Sequence, residues 1–175
     1  DGSTDSTTEI IESATDSRIE KIRFAESKGV VHALNVGLDL ADTEFIARMD
    51  ADDVAAPDRF SQQLTLLTKN PEIGVCGSSI EMFSGHSSCV VTYPETHEEI
   101  LGNLAMFKRS ICHPSVMMRR SVMNGVKYCD DYAHAEDLHL WHRLISKTQF
   151  YNIRKPLLAY RRHTNQVSTR HSQYS

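Results

Sequence analysis

Phe45-Ile46-Ala47-Arg48-Met49-Asp50-Ala51-Asp52-Asp53 is the stretch on which the reading of this chain turns. Apolar residues fill most of Phe45 to Met49, and three carboxylates then arrive within four positions. A buried strand running into an acidic loop is a common way to hold a divalent cation, because the strand fixes the backbone and the loop points oxygens into a cleft. Hard cations such as Mg²⁺ or Mn²⁺ take oxygen ligands, often only one or two from protein while substrate phosphates supply others. Asp50 and Asp52 are therefore candidate metal and diphosphate ligands. The plainer alternative is a solvated acidic turn.

Around this stretch, strands and helices alternate. Ser6 and Glu9 have capping-box spacing, with Ile10, Ile11 and Ala14 as a short apolar stripe, so a helix is predicted after the opening turn. Ile19 to Phe24 alternates apolar with charged residues as a half-buried strand does. Gly29 opens a helix in which Val30, Val31, Leu34, Leu38 and Ala41 share a face, and Glu44 to Met49 is the central strand. Pro57 suits the first turn of a helix carried by Phe60, Leu64 and Leu67 and stopped by Asn70-Pro71.

Ile73 to Phe83 reads as a strand, with a turn at Ser84-Gly85-His86 into a second strand at Cys89 to Tyr93. A helix over Glu98 to Phe107, a loop at His113-Pro114 and a short strand from Ser115 to Met118 follow. Asn124 to Ala135 is polar and irregular. Glu136-Asp137 opens a helix with Leu138, Trp141 and Ile145 on one side, the acids lying where the helix dipole favours them. Phe150–Ile153 and Leu157–Arg161 look like closing strands, and the tail from Thr164 is polar. The order implies an α/β fold with an antiparallel addition.

Composition narrows the function. The 175 residues fit one domain, 40% hydrophobic and 24% charged. A net charge of −4 and the lack of a basic run argue against nucleic acid as a partner. Cys76, Cys89, Cys112 and Cys129 form no CxxC pair and suggest free thiols in a reducing compartment. No window reads as a transmembrane helix or signal peptide. Asp1-Gly2-Ser3-Thr4-Asp5 lacks an initiator Met and reads like the middle of a strand-to-helix turn, so a fragment is expected.

Seven segments in order resemble the family 2 glycosyltransferases, especially their bacterial polysaccharide-synthesis members. They are Asp1–Asp5; Lys28-Gly29 with Ala33–Gly37; Ala47–Asp53; Pro57–Phe60 with Gln63; His113–Met117; Ala135–Asp137 with Leu140-Trp141; and Tyr160–His163 with Gln166 and Ser168. The resemblance implies a GT-A nucleotide-diphospho-sugar transferase fold: a mixed central sheet flanked by helices, with residues 1–175 as a single domain lacking its first, nucleotide-binding strand. It implies Mn²⁺ or Mg²⁺, and transfer with inversion from a nucleotide-diphospho-sugar, most commonly a UDP-sugar. A saccharide or lipid-linked acceptor in cell-surface polysaccharide synthesis would receive the sugar. Such an enzyme is expected in the cytoplasm, peripheral to the inner membrane where its acceptor is lipid-linked.

By the same resemblance Asp50 touches ribose or metal, Asp52 ligates the metal and Asp53 lies near the donor sugar. Asp1 is left to serve the uracil or ribose side. Asp137 is the general base, Glu136 shapes the sugar or acceptor pocket, and His163 lies near the metal or diphosphate. Capping of the helix is the alternative role for Glu136-Asp137, a lone surface histidine that for His163. Arg161 and Arg162 are phosphate contacts or a solvated pair. Leu34 stands where many relatives carry arginine. Two rival readings compete. A truncated, inactive transferase domain would still bind nucleotide or a partner. A haloacid-dehalogenase-type phosphohydrolase would use Asp50, Asp52 and Val54 as an Asp-x-Asp-x-Val motif.

Overall fold

A computed structural model describes residues 1–132 and 134–163. Gln166 and Ser168 therefore lie outside the described residues. In chain order the elements are α1 (Thr7–Ser13), α2 (Val30–Leu40), β1 (Phe45–Ala47), β2 (Val54–Ala55), α3 (Arg59–Lys69), β3 (Ile73–Ser84), β4 (Ser87–Val91), α4 (His97–Ala105), β5 (Met117–Arg119), α5 (Glu136–Leu144) and β6 (Gln149–Arg161). Among the described residues the strands form one mixed sheet in the order β1-β5-β3-β6-β2, with β4 paired to β3. β3 and β6 run parallel at its centre, and the other pairings are antiparallel.

β3 is central because Ile73 through Ile80 are all buried, so its run offers no polar face to water. Apolar cores lie on both sides of the sheet. One joins Val75, Ile100, Leu104, Met118, Leu140, Trp141 and Phe150, and brings α4 and α5 onto the sheet. The other joins Leu67, Ile73, Cys76 and Met117 beneath α3. Thr96 accepts from the Glu99 N–H and Glu99 reaches back to the Thr96 N–H, a full capping box that starts α4. All four cysteines are free thiols, as expected.

Several expectations need correction. Phe45–Ala47 is a three-residue strand, paired only to β5 among the described residues, rather than a central strand over Glu44–Met49. Ile19–Phe24 is no strand: a strand needs a ladder, and Ile19 and Ile22 stand 48% and 46% exposed. It is held instead by the Gly2 N–H on the Phe24 carbonyl, by Lys21 Nζ on the Glu12 carbonyl at 2.9 Å and by Phe24 edge-on to His32 at 5.0 Å. α1 forms without the expected capping box. The Thr7 N–H is taken instead by the Asp5 carboxylate at 3.0 Å. On α2 only Val31 is buried, with Leu34 and Leu38 packed against the core and Val30 exposed.

α3 turns a different face inward from the expected one. Phe60 and Leu64 are exposed, whereas Arg59, Gln63 and Leu67 are fully buried. Pro57 stands just before the N-cap, Asp58. The two expected closing strands are one, β6. Ser78 pairs Ile153 and Ser79 pairs Pro156, so Arg154 and Lys155 bulge out where the Lys-Pro pair interrupts the pattern.

Candidate active site

The acidic loop is held from both ends. The Arg48 N–H bonds the Val116 carbonyl at 3.0 Å, just ahead of β5, and Val54 and Ala55 pair with Ala159 and Leu158 of β6. Beneath it, the Arg59 guanidinium donates to the carbonyls of Arg48 (2.7 Å) and Val116 (3.2 Å) and to Gln63 Oε1 (3.1 Å). Gln63 Nε2 in turn donates at 2.8 Å to the carbonyls of Cys76 and Ser115. A buried polar pair thus satisfies the backbone where the loop meets the sheet, which apolar side chains could not do.

So held, Asp50, Asp52 and Asp53 each place a carboxylate oxygen within 4.8 Å of the others. Burial pushes the Asp50 carboxyl above its usual range, with the neighbouring Arg48 charge opposing the shift. Burial also raises Asp53, to about 6, against the pull of a hydrogen bond from the Arg161 N–H. Asp53 Oδ2 is buried with no partner. An unpaired carboxylate oxygen beside two more carboxylates suits a hard cation better than an ordinary acidic turn, whose oxygens face water.

The end of β6 reaches the same loop. The Arg161 N–H bonds Asp53 Oδ1 at 2.9 Å, and Arg161 Nε bonds the Asp52 carbonyl at 2.8 Å. His163 Nε2 lies 3.2 Å from Asp52 Oδ2. His163 is therefore brought to Asp52. Arg161, though exposed, also braces the loop backbone.

Glu136 and Asp137 occupy the first turn of α5. Asp137 is held above the usual carboxylate range, first by burial and also by Glu136, despite accepting a 2.7 Å bond from the Leu138 N–H. Its side chain bonds the first turn, and the charges of Glu136 and Arg48 act on it in opposite directions. The Glu136 charge, as a minor contribution, opposes the ionisation of Asp50. Trp141 is core: it packs edge-on against His113 at 5.6 Å and Phe150 at 5.8 Å. His113 is buried, with its Nε2 2.7 Å from the Tyr128 hydroxyl, and burial holds it well below the usual imidazole range.

Asp1 is elsewhere engaged. Its carboxylate accepts from Ser27 Oγ (3.0 Å) and from the Lys28 (2.7 Å) and Gly29 (3.0 Å) N–H groups at the entrance to α2. Among the described residues no hydrogen bond or ion pair joins it to the acidic loop. A groove of about 620 Å³ beside α3 and β6, lined in part by Thr65, Asn70, Glu95 and Tyr151, also lies apart from the carboxylates. Sequence reading missed Arg48, Arg59 and Gln63 as site residues. The spacing 59, 63, 67 was the available signal, since it continues one helical face down to Leu67.

The architecture is the GT-A type of α/β fold. A structure of S. aureus TarS in complex with UDP-GlcNAc superposes with a TM-score of 0.71 at 18% identity, over 94% of this chain and 48% of that one. Residues 1–126 match the family model for Glycosyl transferase family 2, and the chain belongs to that family. An uncharacterized glycosyltransferase of Haemophilus influenzae is 31% identical over 183 residues, 97% of this chain and 56% of the relative. The amylovoran biosynthesis glycosyltransferase AmsE of Erwinia amylovora is 26% identical over 71% of this chain and 47% of its own length. The Escherichia coli protein WfgD, a UDP-Glc:alpha-D-GlcNAc-diphosphoundecaprenol beta-1,3-glucosyltransferase, is 27% identical over 81% of this chain and 54% of its own. The chain thus spans about half the length of these relatives. Family membership removes the haloacid-dehalogenase reading.

Proposed function

We propose that this chain carries the donor site of a metal-dependent, inverting glycosyltransferase in cell-surface polysaccharide synthesis. The donor is a nucleotide-diphospho-sugar, with UDP as the nucleotide, and the acceptor is a saccharide or lipid-linked saccharide. The observation that carries this reading is the meeting of Asp50, Asp52 and Asp53 within 4.8 Å, with His163 on Asp52. The UDP-sugar named with TarS and the UDP-Glc donor and lipid-linked acceptor in WfgD's name support the choice of substrates.

Asp50, Asp52 and His163 would hold Mn²⁺ or Mg²⁺, which when bound offsets the charge that develops on the leaving diphosphate. Asp53, deeper in the loop, faces the donor sugar; Asp50 and Asp1 serve the nucleotide side. Asp137 takes the proton of the acceptor hydroxyl as it attacks, and burial raises its proton affinity above that of an exposed carboxylate, the direction a general base needs. Glu136 shapes the sugar and acceptor pocket beside it. Tyr132, half exposed and stacked on His139 at 4.1 Å one turn along α5, offers an acceptor ring a flat face. Among the described residues no helix is long and apolar enough to cross a membrane, and the reading places the enzyme in the cytoplasm against the membrane that holds its acceptor.

Calorimetry of UDP binding tests the proposal. UDP binds far more tightly with Mn²⁺ than with EDTA, and Asp52→Ala removes the difference. Equal affinity with and without metal overturns it.

A further inference from the structure

Arg48 is a cation enclosed among acids. Its side chain is 12% exposed, and its Nη2 lies 2.5 Å from Asp50 Oδ1. Its Nε and Nη1 are buried and have no hydrogen-bond partner. A guanidinium keeps its proton in a protein, so this charge is a permanent part of the site, with donors left over.

The unused donors have an unused acceptor in the same neighbourhood. Glu136 Oε2 is buried and also has no partner. The backbone brings the two elements together. The Arg48 N–H bonds Val116, the turn before Val116 carries His113, and His113 packs edge-on against Trp141, one turn along α5 from Asp137. Arg48 eases the ionisation of Asp50, Asp53 and Asp137 alike, and Glu136 opposes that of Asp50 and Asp137. One guanidinium therefore contacts Asp50 and acts on the charge of Asp137 at the start of α5 as well.

We infer, resting on the metal site proposed above, that Arg48 is a resident counter-ion for Asp50 which a divalent cation must displace, its guanidinium then turning to the buried oxygen of Glu136. Before the cation arrives, Arg48 offsets the mutual repulsion of the loop carboxylates. Once the cation has taken over that task, the freed guanidinium pairs with Glu136 and couples filling of the donor end to the order of the acceptor end. Arg48 is a positioning residue in this scheme: it touches Asp50, and it lowers cation affinity in return for arranging the loop.

Titration of the protein with Mn²⁺ alone, followed by calorimetry, tests this without any turnover. Removing the competitor in Arg48→Met tightens Mn²⁺ binding by about tenfold or more, the scale expected when a charge a few ångströms away is deleted. Arg48→Lys, which keeps the charge with a poorer fork, falls between Met and wild type. Equal or weaker binding in either variant with a wild-type melting curve overturns the displacement role, because a purely structural Arg48 would help metal binding by holding Asp50. Should Arg48→Met fail to fold, the Lys variant decides the matter alone. Glu136→Gln weakens Mn²⁺ binding in the wild-type background, and the effect shrinks in Arg48→Met; an undiminished effect also overturns the role. Absence of Mn²⁺ binding in wild type and variants alike instead overturns the metal site itself.

Discussion

The backbone N–H of Arg161 donates a 2.9 Å hydrogen bond to Oδ1 of Asp53, joining residues 108 positions apart. The last strand of the sheet thereby sets the deepest carboxylate of the acidic loop, whose other oxygen is left buried and unpaired.

That burial has a pH signature. Asp53 is raised to about 6, so between the ordinary carboxylate value and 6 the folded state keeps a proton that the unfolded chain has released. Stability contributed by this group is present at low pH and is lost as pH rises through that window. Asp53→Asn removes the penalty and stabilises the metal-free protein at pH 7.5 by about 1–3 kcal/mol, with little effect at pH 4. Urea unfolding in EDTA at both pH values measures this, and a difference between the two proteins that does not change with pH contradicts it. The same substitution costs Mn²⁺ affinity.

Asp137→Asn keeps the shape of the side chain and removes the base. Turnover falls by about a hundredfold or more, the usual scale for loss of a general base, while UDP binding changes little. Initial rates at saturating donor, together with UDP calorimetry, separate the two effects. Turnover within a few-fold of wild type takes Asp137 out of the chemistry.

Gln63→Leu strips partners from the carbonyls of Cys76 and Ser115 and from Arg59 Nε, all in the interior. Each buried group left unpaired costs about 1–3 kcal/mol. The variant therefore unfolds at clearly lower urea concentration, a loss of about 3 kcal/mol or more. Because Arg59 supports the carbonyl of Arg48, Mn²⁺ affinity falls with it. A midpoint shift worth under about 1 kcal/mol would show that water replaces Gln63 without cost.

Gly77→Ala probes the contact of β3 with β6. A Cβ at Gly77 would sit 2.2 Å from Asn152 Oδ1 and 2.8 Å from Ile111 Cγ1. Asn152 cannot swing aside cheaply, because its Nδ2 holds the carbonyls of Pro94 (2.7 Å) and Ser110 (2.9 Å). The two central strands must part, at about 1–3 kcal/mol. Thermal unfolding followed by circular dichroism reads the loss, and an unchanged melting temperature would mean that the strands adjust freely.

Much of this protein could be read from short-range pattern. Helical spacing marked α2 to α5, Asn70-Pro71 marked the end of α3, and the Ser84-Gly85-His86 turn marked the β3–β4 hairpin. These features depend on neighbours a few residues apart, where periodicity and turn chemistry act directly. The acidic loop was legible as residue types and order, and it lies within residues 1–126, which match the family.

What local pattern could not show was which groups meet. Phe45–Ala47 looks central because it is apolar, yet among the described residues it pairs only with β5 at the sheet's edge, since a place in the sheet is a matter of long-range pairing. Ile19–Phe24 alternates like a strand and pairs with none of the described strands, because alternation makes a sheet only where a ladder exists. Arg59 and Gln63 are polar, yet on α3 they are as enclosed as Leu67, since only the folded chain supplies the carbonyls they satisfy. Arg48 reads as one charge inside an apolar run. Its meaning arises from carboxylates at Asp50 and, nearly ninety residues on, at the start of α5, and electrostatics in a buried site is set by distance in space, not by distance along the chain.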